Sequence, residues 1–334
     1  MLNDVQLSSP CRIAVLLAAA TLAVATGAQA QNPAAGYPNK QIRMIVPFAA
    51  GGPNDFLARA IGQRLTERWS QPVVIDNRPG AGGNIGAELT AKSPPDGYTL
   101  MVATQGILAV NPSLYKLRID TLKDLAQIAL VANLTSVMVV HPSLHVKTVK
   151  ELIRLAQRRP GELTYGTPGN GSASHLSMEI FNRAAHVNIR HIPYKGAAPA
   201  VVDLIGGTLQ VMLIGVPVVM PHVTSGRLVA LGVASAGPSP MAPGLPTIAE
   251  SGGLPGFEIR NWLGLVAAAG TPRDVVEKIN TAVNEILRLP EVKEQLLRNG
   301  FEPTGNTPEY FATYLESELK YWAKVVKDAG ITTD

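Results

Sequence analysis

The chain has 334 residues, of which 46% are hydrophobic and 16% charged, and its formal net charge is +4 at pH 7. This length is sufficient for two domains of ordinary size. The basic residues are scattered rather than clustered among aromatic residues, which argues against a nucleic-acid-binding protein. The single cysteine, Cys11, lies in a segment that we expect to be removed, so the mature chain is predicted to form no disulfide.

The first thirty residues are predicted to be a signal peptide. An apolar run at residues 13–25 follows Arg12, and it is shorter than the roughly 20 residues that span a bilayer. The tripeptide AQA at residues 28–30 has the small-x-small form of a signal-peptidase site. We therefore expect cleavage after Ala30 and export to the periplasm. No lipobox precedes Cys11, so a lipid anchor is not expected.

Segments typical of strands and of helices alternate through the rest of the chain. Because the strands are almost entirely apolar and are interleaved with helices, we predict an α/β fold with mostly parallel sheets covered on both faces. The predicted strands are residues 41–46, 73–76, 98–103, 137–141, 163–166, 189–192, 211–214, 228–234 and 263–267. The predicted helices are residues 55–69, 85–91, 149–158, 175–184, 199–205, 273–287, 291–298 and 308–328.

The sequence after about Arg273 is almost purely helical. These C-terminal helices are therefore expected to pack against a sheet that is formed by an earlier part of the chain. The pattern alone leaves open whether the two α/β halves follow one another or are interleaved.

The segment VPFAAGGPND, residues 46–55, joins the first predicted strand to an amphipathic helix. Such a turn presents backbone N–H groups at a helix N-terminus, where unpaired amides and the helix dipole favour an anion. An ordinary strand–helix loop is equally compatible with this pattern. Asp55 is predicted to cap the helix rather than to contact a ligand, because its carboxylate suits the first-turn amides and would repel an anion.

The segment NRPGAGGNIG, residues 77–86, has three glycines in four positions. Glycine lets the backbone approach a ligand or another backbone closely, so ligand contact and tight packing both remain open. The segment matches neither a Walker loop nor a complete dinucleotide fingerprint, and nucleotide binding is therefore not favoured.

Two later segments also follow a strand and open a helix. In GTPGNGSASH, residues 166–175, the hydroxyl groups add donors to the free amides. In HIPYKGAAP, residues 191–199, Lys195 is compatible with pairing to a carboxylate or with being a solvated lysine beside a packed tyrosine. If the turn at residues 166–175 and the earlier turn at residues 46–55 face one another across a cleft, each could hold one end of a carboxylate ligand.

The sequence carries no recognisable catalytic or metal-binding pattern. The histidines show no metal-ligand spacing such as HExxH, and no GxSxG motif is present. Ser172 and His175 are three residues apart near a predicted helix start, which is typical of capping rather than catalysis. We predict no catalytic residue, metal or cofactor, and a binding protein rather than an enzyme, with an exported hydrolase as a remote alternative.

The sequence resembles the Bug family, the periplasmic receptors of tripartite tricarboxylate transporters, in the ordered segments VPFAAGGPNDFLAR, VVIDNRPGAGGNIGAE, PPDGYTLMVAT, NPSLY, PYKGAAPAVVDLIGG and GLPTIAESG. The resemblance extends from about Tyr37 to Ile331. It implies a periplasmic-binding-protein fold, the Venus flytrap, in which two α/β domains joined by two crossovers enclose a ligand cleft. Domain 1 would comprise residues 37–141 and 261–334, and domain 2 residues 142–260.

The resemblance also implies which residues line the cleft, where ligand is often held through ordered waters. One wall would comprise Phe48, Ala49, Ala50, Gly51, Gly52, Asn54, Gly82, Gly83, Asn84 and Thr104. The opposite wall would comprise Gly169, Asn170, Gly171, Ser172, His175, Lys195, Gly196 and Ala197. The chain departs from the family pattern at residues 208–210 and 216–217, which favours a less usual and more apolar ligand.

From the resemblance we expect a monomeric periplasmic receptor that captures a small mono- or dicarboxylic or aromatic acid. It would present this acid to the membrane permease subunits of a tripartite transporter. The alternative is a periplasmic sensor whose partner is a two-component sensor kinase, and the neighbouring genes would separate the two. The ligand itself cannot be read from the sequence, because backbone amides and waters recognise any carboxylate.

Overall fold

The computed structural model describes residues 34–48, 50–169, 172–194 and 196–329, so the predicted signal peptide lies outside the described residues. The strands are β1 (Ile42–Val46), β2 (Val73–Asn77), β3 (Thr99–Thr104), β4 (Leu125–Leu134), β5 (Ser136–Val140), β6 (Thr164–Thr167), β7 (Arg190–Pro193), β8 (Val211–Gly215), β9 (Val229–Val233), β10 (Trp262–Ala268) and β11 (Phe301–Pro303). The helices are α1 (Pro53–Trp69), α2 (Asn84–Ala91), α3 (Asn111–Leu114), α4 (Val149–Arg158), α5 (Ala173–Ala184), α6 (Ala197–Ile205), α7 (Val216–Thr224), α8 (Ile248–Gly252), α9 (Arg273–Arg288), α10 (Pro290–Arg298) and α11 (Pro308–Ala329). Short 3₁₀ turns cover Ala81–Gly83 and Pro142–Leu144, and Gly106–Val110 is π-helical.

The predicted helices are all present, with ends that differ from the prediction by two residues at most. The prediction missed α7, whose sequence contains Pro217 and Pro221. Pro217 lies in the first turn of this helix, where its missing N–H group costs no intrahelical hydrogen bond. Pro221 lies inside the helix, so prolines that usually indicate a loop are here tolerated within a short helix.

Within the described residues the strands form two sheets, of six strands in the order β11-β4-β10-β3-β1-β2 and of five in the order β7-β6-β8-β5-β9. Strands β2, β1 and β3 are parallel, as are β7, β6 and β8. The other pairings between described strands are antiparallel, so the prediction of mostly parallel sheets is wrong. Strand β10 is antiparallel to both neighbours yet buried along its whole length, and an apolar sequence therefore did not reveal its direction.

The ten-residue strand β4 was also absent from the prediction. Its sequence, LAQIALVANL, mixes alanine and polar residues among the aliphatic ones, so a short window fits a strand no better than a helix. In the sheet it pairs with β10 on one side and with β11 on the other. Through this pairing with β4, strand β11 from the C-terminal part of the chain becomes part of the first sheet.

The C-terminal helices pack on the first sheet, as expected for helices without a sheet of their own. Helix α11 contributes Phe311, Leu315 and Trp322 to a buried cluster that also contains Trp262 of β10. Gly264 of β10 permits this contact, because a Cβ atom there would lie 2.2 Å from Cζ of Phe311. A glycine in a central strand therefore marks a close approach of the helix to the sheet.

A buried carboxylate fixes α11 to β10. Glu318 is fully buried, and it accepts hydrogen bonds from Nε1 of Trp262 at 2.7 Å and from Nε1 of Trp322 at 3.2 Å. The guanidinium group of Arg260 donates to the same carboxylate at 2.7 Å and also pairs with Glu258. The charge of Glu318 is thus both paired and fully hydrogen-bonded, as burial of a charge requires.

The chain crosses between the sheets at two adjacent places. The first crossing lies between Leu134 at the end of β4 and Ser136 at the start of β5. The second leads from β9 back to β10, and the Leu134 amide donates to the carbonyl of Asn261 at 2.8 Å. The division into residues 37–141 with 261–334 and residues 142–260 stays a prediction, although the change of sheet precedes its first boundary.

The carboxyl ends of the parallel strands meet at these crossings. In the first sheet, Leu263 pairs with Thr104 at the end of β3, close to the crossing at Leu134. In the second sheet, Gly215 at the end of β8 pairs with Ser136. Ligands of open α/β sheets bind beyond the carboxyl ends of the strands, so the region between the sheets at the crossings is the candidate site.

Candidate functional site

Four turns leave the carboxyl ends of parallel strands and contain most of the predicted ligand-binding residues that the structure describes. We name them, by their described residues, the first turn (47–48 and 50–52, after β1), the second turn (78–83, after β2), the third turn (168–169 and 172, after β6) and the fourth turn (194 and 196, after β7). The first and second turns lie at the carboxyl ends of strands of the first sheet, and the third and fourth turns at the carboxyl ends of strands of the second sheet. The residues predicted for each wall therefore share one sheet edge.

A buried carboxylate organises the first turn. Asp55 is 3% exposed and accepts hydrogen bonds from the Gly51 amide at 3.0 Å and from Nε of Arg59 at 2.8 Å. Its other oxygen accepts from Nδ2 of Asn77 at 3.0 Å. Asn77 Nδ2 also donates to the carbonyl of Phe48 at 3.1 Å, so both ends of the turn are held by one network.

The prediction that Asp55 caps the helix is wrong. Helix α1 begins at Pro53, so Gly52 is the N-cap residue and Asp55 lies inside the first turn. Proline suits this first position because its fixed φ matches the helix and no amide is needed there. The Asp55 carboxylate turns back to the Gly51 amide, and its charge is balanced by Arg59.

Two amides at the start of α1 are not satisfied by the described residues. The N–H groups of Asn54 and Asp55 have no acceptor within the described part of the chain, whereas the Phe56 amide donates to the Gly52 carbonyl at 3.0 Å. The Gly51 amide, which was predicted to be open, is occupied by the Asp55 carboxylate. The amides without an acceptor thus lie about one helical turn after Gly51, in the first turn of α1, where the helix dipole adds partial positive charge.

The same network controls the ionisation of Asp55. The hydrogen bond from Arg59 lowers the pKa of Asp55 to about 2 against the opposing effect of burial, with smaller contributions from the bonds of Gly51 and Asn77. Because the folded-state pKa lies below the unfolded value, ionised Asp55 stabilises the fold above about pH 4. This contribution is lost as the pH falls through about 2.

The second turn packs more closely than a ligand-contacting loop requires. Gly83 has a φ of +93°, and a Cβ atom there would lie 2.4 Å from Cδ1 of Ile107, so only glycine fits. The Gly82 carbonyl accepts from Nδ2 of Asn111 at 3.2 Å, and Asn84 Oδ1 accepts from the same nitrogen at 2.7 Å. For Gly83 and Asn84 the geometry therefore favours the packing alternative.

Thr104 and its neighbour Gln105 follow the buried part of β3. The Thr104 hydroxyl oxygen accepts from the Ile107 amide at 3.2 Å and fixes the start of the π-helical segment. Gln105 is 8% exposed, and its Nε2 has no hydrogen-bond partner in the part of the chain that the structure describes. Sequence reasoning did not single out Gln105, because a glutamine after a strand gives no signal until its burial is known.

The third turn has the geometry of a capped helix start. The Ser172 hydroxyl accepts from the His175 amide at 3.3 Å, and the Ser172 amide donates to the Gly169 carbonyl at 3.3 Å. This geometry agrees with capping, the role preferred for the Ser172–His175 pair. The amides of Ala173 and Ser174 have no acceptor among the described residues and form the counterpart of the open amides of α1.

A hydroxyl network ties the third turn to β7. The Thr167 hydroxyl donates to the Gly169 carbonyl at 3.1 Å, and its oxygen lies 2.7 Å from Nε2 of His191. This network was not predicted, because residues 167 and 191 are brought together only by the pairing of β6 with β7.

Three rings are stacked beside the third turn. The His175 and His191 rings have centroids 3.9 Å apart, and the Tyr165 ring lies 5.0 Å from that of His191. Burial lowers the pKa of His191 to about 4, with a further decrease from His175, and burial also lowers the pKa of His175. Both imidazoles are therefore neutral at pH 7 and offer this wall hydrogen-bonding groups rather than positive charge.

The stacked imidazoles predict a specific acid sensitivity. The unfolded chain binds a proton at His191 near pH 6.5 and the folded chain only near pH 4, so stability should decrease as the pH falls across this interval. Between pH 7.5 and pH 5 we expect His191 to account for a loss of roughly 1–2 kcal/mol, allowing for its partial exposure. Urea unfolding of the wild type and of His191→Gln at both pH values measures this loss.

The matched control for that experiment is His145→Asn, which alters an exposed histidine with a positive φ that asparagine tolerates. This variant should retain the full acid sensitivity. An undiminished loss of stability in His191→Gln would show that the acid sensitivity arises elsewhere.

The fourth turn closes against the third. The Gly196 amide donates to the Pro168 carbonyl at 2.9 Å, and Gly196 precedes Ala197, the first residue of α6. The Tyr194 hydroxyl donates to Asp203 at 2.6 Å, and burial together with this bond raises the pKa of Tyr194 to about 12. Tyr194 is thus a neutral packed residue that supports the turn.

Four predicted site residues lie outside the described residues, namely Ala49, Asn170, Gly171 and Lys195. In the described ranges no group of three or more His, Cys, Asp or Glu side chains is arranged to hold a metal ion. The described turns offer backbone amides without an acceptor among the described residues, at the starts of α1 and α5. These turns lie at the carboxyl ends of the strands of the two sheets, which meet at the crossings. Such amides stabilise anions without a charged side chain.

Comparisons with known proteins identify a family. The sequence model described as "Tripartite tricarboxylate transporter family receptor" matches residues 57–331. The protein BugT of Bordetella pertussis is 38% identical over 94% of this chain and 97% of its own. These matches agree with the resemblance that the sequence motifs indicated. The helices of the described residues include none that is both long and apolar enough to span a membrane.

Solved structures give the same result for the fold. A structure of R. palustris Rpa4515 with adipate is 39% identical, with a TM-score of 0.76, and the match covers 89% of this chain and 99% of that chain. MatC of Rhodopseudomonas palustris with bound malate is 31% identical, with a TM-score of 0.72, over 87% of this chain and 100% of that chain. The predicted α/β periplasmic-binding-protein fold is thereby confirmed.

Proposed function

Because the chain belongs to the tripartite tricarboxylate transporter receptor family, we propose that it captures a small carboxylate in the periplasm and delivers it to the membrane permease subunits of such a transporter. The observation that carries the proposal is the pair of open helix starts, at Asn54–Asp55 and at Ala173–Ser174, on two sheet edges that meet at the crossings. Unpaired amides and helix dipoles at both edges suit an anion held between them.

The ligand class is supported by the chemistry of the relatives. Rpa4515 was solved with adipate and MatC with malate, both of which are carboxylates. For this chain we propose a mono- or dicarboxylic or aromatic acid, held by the first turn on one side and the third and fourth turns on the other. The relatives are receptors, in agreement with a binding protein rather than an enzyme. The monomeric state and the sensor-kinase partner stay predictions.

The number of open amides sets the expected affinity. Hydrogen bonds to a charged group contribute about 1.5–3 kcal/mol each, so three or four of them exceed the cost of domain closure. Subtracting the cost of closure from the hydrogen-bond contribution leaves a binding free energy near −8 kcal/mol, which corresponds to a Kd of about micromolar. Closure of the two halves around the ligand is the expected working motion.

Isothermal titration calorimetry against a panel of acids tests the ligand class. The panel should contain adipate, malate, acetate, succinate and benzoate, with adipamide as an uncharged analogue of adipate. We expect at least one acid to bind with about micromolar Kd and to raise the Tm, and adipamide to have no effect. Absence of heat and of any thermal shift with every acid would contradict the proposal.

Removing a single open amide tests the mode of recognition. Ala173 is exposed at the first position of α5, and Ser172 before it is extended, so proline fits at 173 without disturbing the helix. We expect Ala173→Pro to weaken binding of the acid identified in the panel by at least about tenfold, because one amide donor is lost. Ala173→Ser, which retains the amide, is the control and should bind as the wild type does. Equal affinity of the two variants would exclude this amide from the site.

A further inference from the structure

The crossings divide each sheet into two unequal sides. In the first sheet they occur at the neighbouring strands β4 and β10, with β3, β1 and β2 on one side and β11 alone on the other. In the second sheet β5 separates β8, β6 and β7 from β9. The first, second, third and fourth turns all follow strands on the larger sides. β11 and the segment after β9 therefore lie on the opposite side of the crossings, which we describe as behind the crossings.

A specific polar contact joins the two sheets behind the crossings. Oε1 of Glu302, in β11, accepts hydrogen bonds from the Thr135 hydroxyl at 2.6 Å and from the Ser239 hydroxyl. Thr135 lies in the first crossing, and Ser239 lies in the segment after β9. Both hydroxyl residues are 4% exposed, and one oxygen of the partly buried Glu302 carboxylate links the first sheet to the crossing and to the second half of the molecule.

A steric contact accompanies this hydrogen-bonded cluster. Gly300, just before β11, has a φ of +92°, and a Cβ atom there would lie 2.8 Å from Cγ of Pro217 in α7. Met241 approaches the same position, and its amide donates to the Ser239 hydroxyl oxygen at 3.2 Å. The two halves therefore touch behind the crossings through close packing as well as through Glu302.

We propose that Glu302 is a positioning residue that sets ligand affinity from behind the crossings. The proposal rests on the proposed function, because it assumes that the two halves close on a ligand. Rotation about the crossings that brings the ligand turns together must separate the groups on the opposite side. Closure therefore stretches the Ser239–Glu302 hydrogen bond, and the contact stabilises the open form against the closed one.

The expected effect follows from the loss of that bond. A contact present mainly in the open form reduces the fraction of binding-competent molecules, and its removal raises the apparent affinity by the same factor. Removal of the Ser239 hydroxyl should therefore tighten ligand binding, by up to about tenfold for a hydrogen bond to a carboxylate. In the ligand-free protein the same change should shift the population toward closed molecules.

The experiment compares Ser239→Ala with two further variants. Ser235→Ala is the matched control, since its hydroxyl lies in the same segment but donates to the Gly237 carbonyl at 2.7 Å. Glu302→Gln retains an acceptor without the charge and should give an intermediate effect. Ligand-free protein is measured by small-angle scattering and by fluorescence transfer between labels at Lys92→Cys and Lys150→Cys, one exposed site in each half. Calorimetry with adipate then gives the affinity.

The proposal predicts a smaller radius of gyration and a closed-shifted transfer distribution for ligand-free Ser239→Ala, with Ser235→Ala unchanged. It also predicts tighter adipate binding, mainly through slower dissociation. A Ser239→Ala protein with lowered Tm but unaltered scattering and transfer distributions would overturn it, as the contact would then be merely structural. Because these two measurements need no ligand, they decide the proposal even if adipate binds to none of the variants, an outcome that bears only on the ligand class.

Discussion

Replacing Asp55 with alanine is expected to reduce carboxylate binding by at least about a hundredfold and to lower the free energy of unfolding by about 2–4 kcal/mol. The variant removes the acceptor of the Gly51 amide and of the Arg59 guanidinium, and one of the two acceptors of the Asn77 side chain. The first turn then loses the network that holds both of its ends, and the amides of α1 lose their fixed direction. Calorimetry with the acid identified in the panel and urea unfolding at pH 7 measure the two effects.

The control for this experiment is Asp96→Ala, which removes an acid from an exposed ion pair with Lys40. Its stability should change by less than about 1 kcal/mol, and its affinity should be unchanged. Wild-type affinity in Asp55→Ala would show that the first turn is not part of the site. A loss of affinity without a loss of stability would mean that Asp55 contacts the ligand directly.

Replacing Glu318 with alanine is expected to give the largest loss of stability, about 3–5 kcal/mol, with little effect on which acid binds best. The substitution leaves two buried indole N–H groups, of Trp262 and Trp322, without an acceptor, while Arg260 keeps its contacts with Glu258 and the Tyr321 ring. It also leaves a cavity between α11 and β10. Urea unfolding followed by circular dichroism measures the change.

Glu316→Ala is the matched control on the same helix, because Glu316 is exposed. Its free energy of unfolding should stay within about 0.5 kcal/mol of the wild-type value. A comparable loss in both variants would indicate a general effect on α11 rather than loss of the buried network. Glu318→Gln should fall between the two, since it keeps an acceptor but removes the charge that pairs with Arg260.

The elements whose signals are local were predictable from the sequence. Thr148 and Glu151 stand in the T-x-x-E spacing that predicts a capping box before α4, and the Thr148 hydroxyl accepts from the Glu151 amide. The other half of that capping box differs, because the Glu151 carboxylate accepts from the Lys147 amide instead of from that of Thr148. Local patterns thus located the helix starts to within two residues but did not specify each hydrogen bond.

The features that depend on long-range pairing were not predictable. Asp55 was assigned a cap because its partner Asn77 is distant in sequence and becomes adjacent only through the pairing of β1 with β2. For the same reason the sequence did not predict the contact of Thr167 with His191 or the burial of Gln105. The direction of strand β10 could not be predicted from the sequence either, because β10 is as apolar as a typical parallel strand.

The position of β10 within the first sheet has a consequence for biogenesis. This strand lies between β3 and β4, yet it follows both by more than a hundred residues in the chain. During synthesis β3 and β4 therefore have no direct neighbour in common until residue 268 has been made, whereas the second sheet is complete by residue 233. Such late, non-local pairing slows folding, because β3 and β4 gain their shared neighbour only after the intervening sequence has been made.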